Sequence, residues 1–553
     1  MLLRNITFLG KSINLADGQS HENSNVITIL MGNNGSGKSR IFQTICSAFI
    51  HVLHNDMIRY NLKDIINHSD LDEFDSLSYK KDGDLHSISL FREPISQTYY
   101  FDDNASITFM SVYPYQQIFR YNAHNIEENL KEDLIETWGY YFLNDAKRFN
   151  KIIQFKKNRE VCDTLNIPNK ILAVTSSPYD KFPFPGSHLE PYTLSPYVYL
   201  GAREKQRPGY RRNYGYLSYK FDQLGASFIK LLLKPKQEYF DFSKMLDFLD
   251  ISSSFTLKLL LSERIRGRNL TQENILESVR SINFFKGKGH EITNNEIDEI
   301  KLSKHLLEAI KYIGGEELGK DEHYFDPLEV LCEIDLTKGG HDRLRLNALE
   351  LLSEYGIVEL DDVIFSKSES KQEFLLSQAS SGELSLLFTM SSIAGEIQDG
   401  SLILIDEPEI SLHPKWQLEF LSLLTDVFSN YKACHFIIAT HSPNIISSLP
   451  ENDAYIVNIE TDETDLMPSK LYHNRSADFQ LAKVFNSPGN NNEYLLSQVI
   501  EVLDNLCKSK EFDDESLTTA KWLLTFENKL EDDDKVKTLL NILKKTMEAL
   551  KIK

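Results

Sequence analysis

Eight residues near the amino end have the types and spacing needed to hold a polyphosphate: Gly32-Asn33-Asn34-Gly35-Ser36-Gly37-Lys38-Ser39. Two glycines five positions apart, followed by lysine and serine, fit the P-loop pattern. The apolar run Val26–Met31 before them predicts a strand, and the run from Arg40 to Ile45 predicts the start of a helix. Strand, loop and helix form the context in which this pattern binds phosphate.

Each residue type in this loop has a chemical reason to be there. Glycines let backbone N–H groups converge on phosphate oxygens, and the positive end of the following helix adds attraction. Lys38 is expected to reach the β- and γ-phosphates, and the Ser39 hydroxyl is expected to bind Mg²⁺. The predicted nucleotide-binding residues are Asn33, Asn34, Gly35, Ser36, Gly37, Lys38, Ser39 and Arg40.

A second constellation lies far downstream, where the apolar run 401–405 ends in Asp406 and Glu407. A buried strand that stops at an acid is the Walker B pattern, which places Asp406 to hold Mg²⁺ directly or through water. Glu407 then stands where a general base for the attacking water is needed. The alternative is a solvated acidic strand end without a catalytic role.

Histidines follow this strand and the next apolar run. Ser411-Leu412-His413-Pro414 comes shortly after the two acids, and His435–Ala439 leads into Thr440-His441-Ser442-Pro443. A lone histidine is more often structural than catalytic. One that ends a strand beside the Walker B strand is better placed to sense the γ-phosphate, and His441 is therefore predicted to be catalytic.

Together these motifs resemble the ABC ATPase superfamily in its SMC/RecF-like branch. The resemblance implies that Ser380, Ser381, Gly382 and Glu383 form the signature motif, that Ser411 and His413 lie in the D-loop and that His441 is the switch histidine. Asp406 lies 26 residues after Ser380, and His441 lies 35 residues after Asp406, in the order and spacing of that family. ATP and Mg²⁺ are the implied ligands.

The resemblance also implies that the signature of one copy closes on a nucleotide held by another. Ser381 and the Gly382 backbone, at the start of a predicted helix, form a second anion site without a phosphate of its own. A homodimer, or a higher assembly of dimers, is the expected working unit.

One family element, the Q-loop glutamine, has no clean candidate: Gln116, Gln117 and Gln206 all follow strand patterns. Lys170–Ser177 is the alternative core strand, with Thr175 or Ser176 in place of the amide.

The layout predicts an α/β ATPase head with a β-rich lobe, a helical insertion that forms a short arm and a C-terminal helical extension. The predicted divisions are 1–204, with the P-loop and lobe; 205–345, mainly helical; 346–485, with the remaining motifs; and 486–553, a partner-docking region. In the last division helices are predicted over 493–507, 516–530 and 534–550. Ser380 follows Lys38 by 342 positions, about three times the separation that a compact transporter subunit has.

Composition bears on location and partners. The 553 residues carry a formal net charge of −21. The five cysteines lack a metal spacing, which indicates a reducing cytoplasm, and the anti-phage resemblance given below implies a bacterial one. No apolar run approaches the ~20 residues of a membrane span, so no membrane partner is expected. One basic, aromatic stretch, 203–216, offers Arg207, Arg211 and Arg212 as nucleic-acid contacts, with solvated loop charges as the equal alternative. A second cluster holds Arg264, Arg266 and Arg268.

A further resemblance, to the PtuA-type ATPases of Septu and retron anti-phage systems, rests on segments 407–414, 439–444 and 176–182 and on a helical tail without a TOPRIM-like acidic cluster. It implies a separate HNH effector nuclease as partner and, in the retron version, a reverse transcriptase with its RNA–DNA hybrid. Three functions remain open: an ATP-gated regulator of that nuclease, a RecF-like repair ATPase acting on DNA ends or gaps, and a nucleotide-held scaffold with little turnover.

Overall fold

The computed structural model describes most of the chain in separate ranges. They are residues 1–17, 24–33, 35–56, 74–93, 96–102, 105–112, 116–123, 150–162, 164–184, 193–194, 196–201, 203, 216–261, 271–277, 292–315, 329–338, 342–460, 466–509 and 513–549. Asn34, Gln206, Arg207, Arg211 and Arg212 lie outside these ranges, as do Arg264, Arg266 and Arg268.

The described residues form the following strands and helices. The strands are β1 (Leu2–Phe8), β2 (Lys11–Asn14), β3 (Val26–Met31), β4 (Phe74–Lys81), β5 (Asp84–Glu93), β6 (Ser96–Asp102), β7 (Ala105–Val112), β8 (Gln116–Ala123), β9 (Asn150–Lys157), β10 (Glu160–Cys162), β11 (Ile171–Thr175), β12 (Thr193–Leu194), β13 (Tyr197–Leu200), β14 (Ser254–Leu261), β15 (Glu329–Asp335), β16 (Val358–Ser366), β17 (Glu373–Leu375), β18 (Leu402–Asp406), β19 (His435–Ala439), β20 (Ala454–Asn458) and β21 (Leu466–Pro468). The helices are α1 (Lys38–Asp56), α2 (Tyr216–Leu233), α3 (Lys236–Phe248), α4 (Ile292–Ile310), α5 (Arg343–Glu354), α6 (Ser381–Glu396), α7 (Pro414–Val427), α8 (Pro443–Ser447), α9 (Ala477–Lys483), α10 (Glu493–Ser509), α11 (Asp514–Leu524) and α12 (Lys535–Ala549).

A central sheet carries the motif-bearing strands in the order β12-β13-β11-β18-β19-β3-β20-β21. The strands from β13 to β20 pair in parallel, whereas β12 and β21 are antiparallel edges. Parallel strands need crossover connections; α7 lies in the connection from β18 to β19, and α8 in that from β19 to β20. The predicted α/β class, with an ATPase-head arrangement of P-loop and Walker B strands in one sheet, is confirmed.

Both faces of this sheet are buried, which explains why its strands are continuously apolar rather than alternating. Leu404 and Ile437 face a core that includes α1, whereas Ile403 and Ile438 face a core that includes α2, α3, α6 and α7. The core on the α1 side extends into an antiparallel sheet, β10-β9-β5-β4-β1-β2, which is the β-rich lobe. Strands β6, β7 and β8 form a separate antiparallel sheet.

The stretch predicted to be mainly helical, 205–345, contributes α2, α3, α4 and also two strands, β14 and β15. These strands pair in the sheet β15-β14-β16-β17, whose other members come from the following division. The sequence prediction missed this sheet because a short apolar run such as 257–261 fits a buried strand and a helix equally well.

The C-terminal helices α10, α11 and α12 share a hydrophobic core of their own, centred on residues such as Val499, Leu523 and Leu540. The first and third begin and end within two residues of the predicted helices, but α11 ends at Leu524, six residues before the predicted end. Within the described ranges, no helix combines the length and the apolar character that crossing a bilayer requires.

His435 connects the β-rich lobe to the central sheet through hydrogen bonds. Its Nδ1 accepts the Leu3 N–H at 3.1 Å, so Nε2 carries the proton and donates to the Thr28 hydroxyl at 2.9 Å; that hydroxyl donates in turn to the Leu15 carbonyl. The ring is fully buried, and burial lowers its pKa to about 3. A neutral histidine thus joins β1, β3 and β19 through directional hydrogen bonds.

Glu396, the last residue of α6, joins this helix to its neighbours through charge. Its carboxylate contacts Lys170 at 3.2 Å and also Lys230 of α2. Burial alone would raise its pKa, but the two lysines outweigh that effect and hold the pKa below its usual value.

Replacing Glu396 by alanine should lower the free energy of unfolding by about 2 kcal/mol, less than for a fully enclosed pair because Lys230 is one-third exposed. The exposed Glu354 at the end of α5 gives the control, since Glu354→Ala should change stability by no more than about 0.5 kcal/mol. Because the folded pKa of Glu396 is depressed, its contribution is present above about pH 4.5 and is lost on further acidification. Urea unfolding at pH 7 and pH 4 measures both effects; equal losses for the two variants would contradict the assignment.

Candidate nucleotide-binding and hydrolysis site

The predicted motifs meet at the carboxyl edge of the central sheet. In register across the sheet, Thr175 lies opposite Asp406, Asp406 opposite Ala439, and Ala439 opposite Leu30. The P-loop therefore leaves β3 at the level where β18 ends in Asp406 and β19 leads into His441. In open α/β sheets, ligands bind outside the carboxyl ends of the strands.

The P-loop turns on glycines that no other residue could replace without strain. Gly32 has φ +159°, and a Cβ there would lie 2.6 Å from the Ser36 hydroxyl oxygen and 3.0 Å from a side-chain carbon of Ile459. Gly37 has φ +103°, in the region that favours glycine, and leads directly into α1 at Lys38. The loop thus presents backbone N–H groups at the positive end of a 19-residue helix.

Lys38 and His441 contact one another at this edge. The buried Lys38 ammonium donates to the Gly32 carbonyl at 2.7 Å and lies 2.6 Å from His441 Nε2. An ammonium group has no acceptor, so Nε2 accepts and the imidazole is neutral. Burial lowers the pKa of Lys38, while Glu407, Asp406 and other carboxylates oppose the shift; burial and the charge of Lys38 lower the pKa of His441.

Asp406 fits the role of a Mg²⁺ ligand. It is 4% exposed, and burial raises its pKa to about 7 although the Ser39 hydroxyl hydrogen-bonds to it and opposes the shift. Its Oδ1 has no hydrogen-bond partner among the described residues. Because no group of three or more His, Cys, Asp or Glu side chains in the described part of the chain could hold a metal, the ion would take its other ligands from phosphate oxygens and water.

Glu407, the residue after Asp406, has a strained backbone conformation. It has φ +50°, which is uncommon for a residue other than glycine, and its N–H donates to the Ala439 carbonyl at 2.9 Å. Its carboxylate lies 3.7 Å from His441 Nε2. The turn thus directs Asp406 and Glu407 to the same edge, where one can bind a metal ion and the other can accept a proton.

Glu409 contacts the predicted site, although the sequence analysis did not select it. Its Oε1 accepts the backbone N–H of His441 at 2.6 Å, and its carboxylate also hydrogen-bonds to the Thr440 side chain. Burial raises its pKa, with a smaller contribution from the charge of Glu407. The carboxylate therefore fixes the backbone that carries the predicted switch histidine. Its signal in the sequence was an acid two residues after Glu407.

The signature segment forms the exposed start of α6. Ser380 caps the helix: its Oγ accepts the Glu383 N–H, and the Glu383 carboxylate accepts the Ser380 N–H at 2.9 Å. Ser381 is exposed at the first helical position, which suits contact with a ligand on another molecule. Lys367 contacts Glu383 at 3.3 Å and steadies this end of the helix.

The D-loop packs directly on the signature. A Cβ at Gly382 would lie 2.9 Å from both the Ser411 carbonyl oxygen and the Trp416 ring, so only glycine allows this approach. Ser411 has φ +69°. His413, predicted to lie in the D-loop, caps α7: its Nδ1 accepts the Lys415 N–H at 3.2 Å.

On the side where a Q-loop was expected, the core strand is β11. Gln116 and Gln117 lie on β8, in the separate sheet β6-β7-β8. Thr175 ends β11 opposite Asp406, and its hydroxyl accepts the Ser177 N–H. The Ser176 and Ser385 hydroxyls lie 3.1 Å apart, and Ser385 also donates to the D-loop carbonyl of Ile410. Ser176 therefore links the end of β11 to α6.

A buried ionic cluster joins the loop that follows β11 to β13 and the residues after it. Asp180 accepts hydrogen bonds from the Tyr199 hydroxyl at 2.7 Å and from the Arg203 guanidinium at 2.6 Å, and its charge contributes to the raised pKa of Asp406. Arg203, the first residue of the basic stretch, is thus a structural residue. Arg343 and Arg345 also bind backbone carbonyls, of Leu233 and Leu331.

Comparisons with known proteins support an ATPase domain. Residues 266–447 match the family model described as "AAA domain, putative AbiEii toxin, Type IV TA system", a range that contains Ser380–Glu383, Asp406, Glu407 and His441 but not the P-loop. This range is less than half of the chain.

Two curated relatives match short segments. "Protein ea59" of Escherichia phage lambda is 33% identical over 148 residues, 26% of this chain and 25% of that protein. "Retron Vc95 probable ATPase" of Vibrio cholerae serotype O1 biovar El Tor is 30% identical over 110 residues, 18% of this chain and 20% of that protein. The chain therefore spans only a quarter or less of these relatives.

Among solved structures, the SMC head domain from Thermotoga maritima is 11% identical, with a TM-score of 0.24 and coverage of 85% of this chain and 99% of that one.

Replacing Glu409 by alanine should lower kcat for ATP hydrolysis by about tenfold to a hundredfold, because His441 loses the hydrogen bond that positions its backbone. Glu409→Gln retains an acceptor oxygen and should keep most of the activity. Steady-state kinetics on Glu409→Ala, His441→Ala and the double variant measure the coupling. If Glu409 acts through His441, the double variant is no slower than His441→Ala; losses that multiply would show that it does not.

Proposed function

We propose that this chain is an ATP-binding and ATP-hydrolysing enzyme of the ABC/SMC-like class, and that two copies close around the nucleotide. The observation that carries the proposal is the convergence of Lys38, Asp406, Glu407 and His441 at one sheet edge. The match of residues 266–447 to an AAA domain supports the same class from the remaining motifs.

Each side chain at this edge has a separate role in the proposed hydrolysis. Lys38, held at the start of α1, neutralises charge on the terminal phosphates. Ser39 and Asp406 would hold Mg²⁺, which, when bound, supplies positive charge at phosphate oxygens. Glu407 accepts the proton of the attacking water, and His441, kept neutral beside Lys38, can donate a hydrogen bond to an oxygen of the γ-phosphate.

The exposed signature supports closure between two copies. Ser381 and the first N–H groups of α6 form an anion site at the surface. A phosphate held by a second copy would complete it, and the P-loop of the first copy would meet the signature of the second. ATP then joins two copies, and hydrolysis releases them.

We further propose that the assembly regulates a separate effector nuclease of the HNH type in anti-phage defence, with a reverse transcriptase and its RNA–DNA hybrid as further partners in a retron setting. The short match to a retron ATPase supports this context. The C-terminal helices support a docking role: they have a core separate from the ATPase head and leave Ile500 and Ile542 about half exposed. Affinity purification of the tagged chain from its native operon tests the partnership, which recovery of no nuclease would contradict.

Replacing Glu407 by glutamine should lower kcat by about 10²- to 10⁴-fold, because the amide cannot take the proton of water. ATP affinity should remain, so ATP-bound dimers should accumulate in sedimentation runs. Lys38→Ala is the comparison and should lose ATP binding itself. A Glu407→Gln variant with normal turnover and normal function would instead favour a nucleotide-held scaffold, and unchanged affinity in Lys38→Ala would remove the P-loop assignment.

Replacing Ser381 by aspartate should abolish ATP-dependent dimerisation while leaving ATP binding to the P-loop of each copy intact. A carboxylate at the first helical position is compatible with the helix dipole, so the melting temperature should not fall, but it repels a phosphate brought by a partner. Ser381→Thr keeps the hydroxyl and serves as the control. Light scattering with MgATP and Glu407→Gln as background measures the dimer; dimers of the aspartate variant at wild-type nucleotide concentrations would contradict the proposed closure.

A further inference from the structure

A carboxylate outside the hydrolysis motifs binds the first turn of the P-loop. Glu460 Oε1 accepts the backbone N–H of Asn33, and its Oε2 accepts the Asn33 side-chain amide at 3.0 Å. Asn33 is the second residue of the loop, immediately after Gly32. An acid thus occupies donors of a loop whose proposed ligand is itself an anion.

The backbone around Glu460 is held by three hydrogen bonds and one parallel strand pair. Strand β20 runs beside β3 with Asn458 opposite Met31, and the Ile459 N–H donates to the Met31 carbonyl at 3.0 Å. The Glu460 N–H donates to the Asn458 side chain at 3.0 Å, and Lys11 donates to the Ile459 carbonyl at 2.7 Å. Glu460 therefore leaves the sheet at the same edge as the P-loop.

The charge of Glu460 reaches the groups expected at the γ-phosphate. Burial lowers the pKa of Lys38, and Glu460 is one of four carboxylates that oppose the shift. Burial and Lys38 lower the pKa of His441, and Glu407 and Glu460 oppose it. Asp406, Glu407 and Glu409 each have a task in metal binding, proton transfer or histidine positioning, whereas Glu460 has none of these contacts.

We propose that Glu460 sets the preference of this site between nucleoside triphosphates and diphosphates by disfavouring the γ-phosphate. The inference rests on the proposed function, because it requires the P-loop to bind an adenine nucleotide. A γ-phosphate next to Lys38 and His441 meets the Glu460 charge, and Glu460 must release Asn33 or remain beside a second anion. A diphosphate leaves that position empty and escapes most of the repulsion.

Coulomb's law gives the size of this repulsion in a solvent-exposed site. A unit charge about 6 Å from a doubly charged phosphate, in a dielectric close to that of water, changes affinity about tenfold. Glu460 is exposed, so dissolved salt should screen this repulsion. Glu460→Gln removes the charge but keeps an oxygen that can accept the Asn33 N–H.

Binding of the full chain to MgADP and to the Mg²⁺ complex of AMP-PNP, a non-hydrolysable triphosphate, tests the inference by calorimetry. Glu460→Gln should bind AMP-PNP about tenfold more tightly than the wild type and ADP within about twofold, with the difference shrinking in 1 M salt. Glu451→Gln is the matched control: the same substitution at an exposed acid before the opposite end of β20, where no change is expected.

The outcomes separate the two proposals. One outcome is that the wild type binds both nucleotides, and that Glu460→Gln either tightens the binding of both equally or changes the binding of neither. Glu460 then does not discriminate the γ-phosphate, and this inference is wrong. If the wild type binds neither nucleotide, or Lys38→Ala binds both as the wild type does, the proposed function fails and the inference fails with it. Melting temperatures within about 2 °C of the wild type confirm that the compared variants are folded.

Discussion

The chemistry of this protein depends on one constraint, the alignment of parallel strands that are buried on both faces. Because Ile403 and Leu404 face opposite cores, a slip of one residue would exchange the two faces of β18 and is excluded by packing. The same register brings Asp406 level with Thr175 and Ala439. Residues that are hundreds of positions apart in the chain therefore end at one edge, where side chains of different motifs contact one another, as Lys38 and His441 do.

Negative charge dominates that edge. Asp406, Glu407, Glu409 and Glu460 all act on Lys38, which is the cation placed among them, and burial and neighbouring acids leave Asp406 with a pKa of about 7. A polyphosphate brings still more negative charge. The proposed Mg²⁺ would offset this charge as well as serve phosphate chemistry, since Lys38 alone cannot balance four carboxylates and the proposed nucleotide.

The sequence predicted the parts of this arrangement that rest on local patterns. Apolar runs that end in Asp406 and before His441 predicted buried strands, and glycine spacing predicted the loop before α1, so the α/β class followed. Glu409 and Glu460 could not be found in this way because their roles come from pairings across the fold: one carboxylate meets a backbone N–H 32 residues on, and the other meets Asn33 across 427 residues. The strands β14 and β15 were missed because short apolar runs do not distinguish strand from helix.

The contact between the signature and the D-loop has a consequence for how the surface can move. Gly382 presses on the Ser411 carbonyl and Trp416, while Ser385 bridges Ser176 and the Ile410 carbonyl. Three segments from distant parts of the chain thus form one block without space for a single loop to shift alone. Such a block transmits displacement as a rigid body, so in the proposed closed pair an event at either nucleotide would be felt at the other, and turnover in the two halves would be cooperative rather than independent.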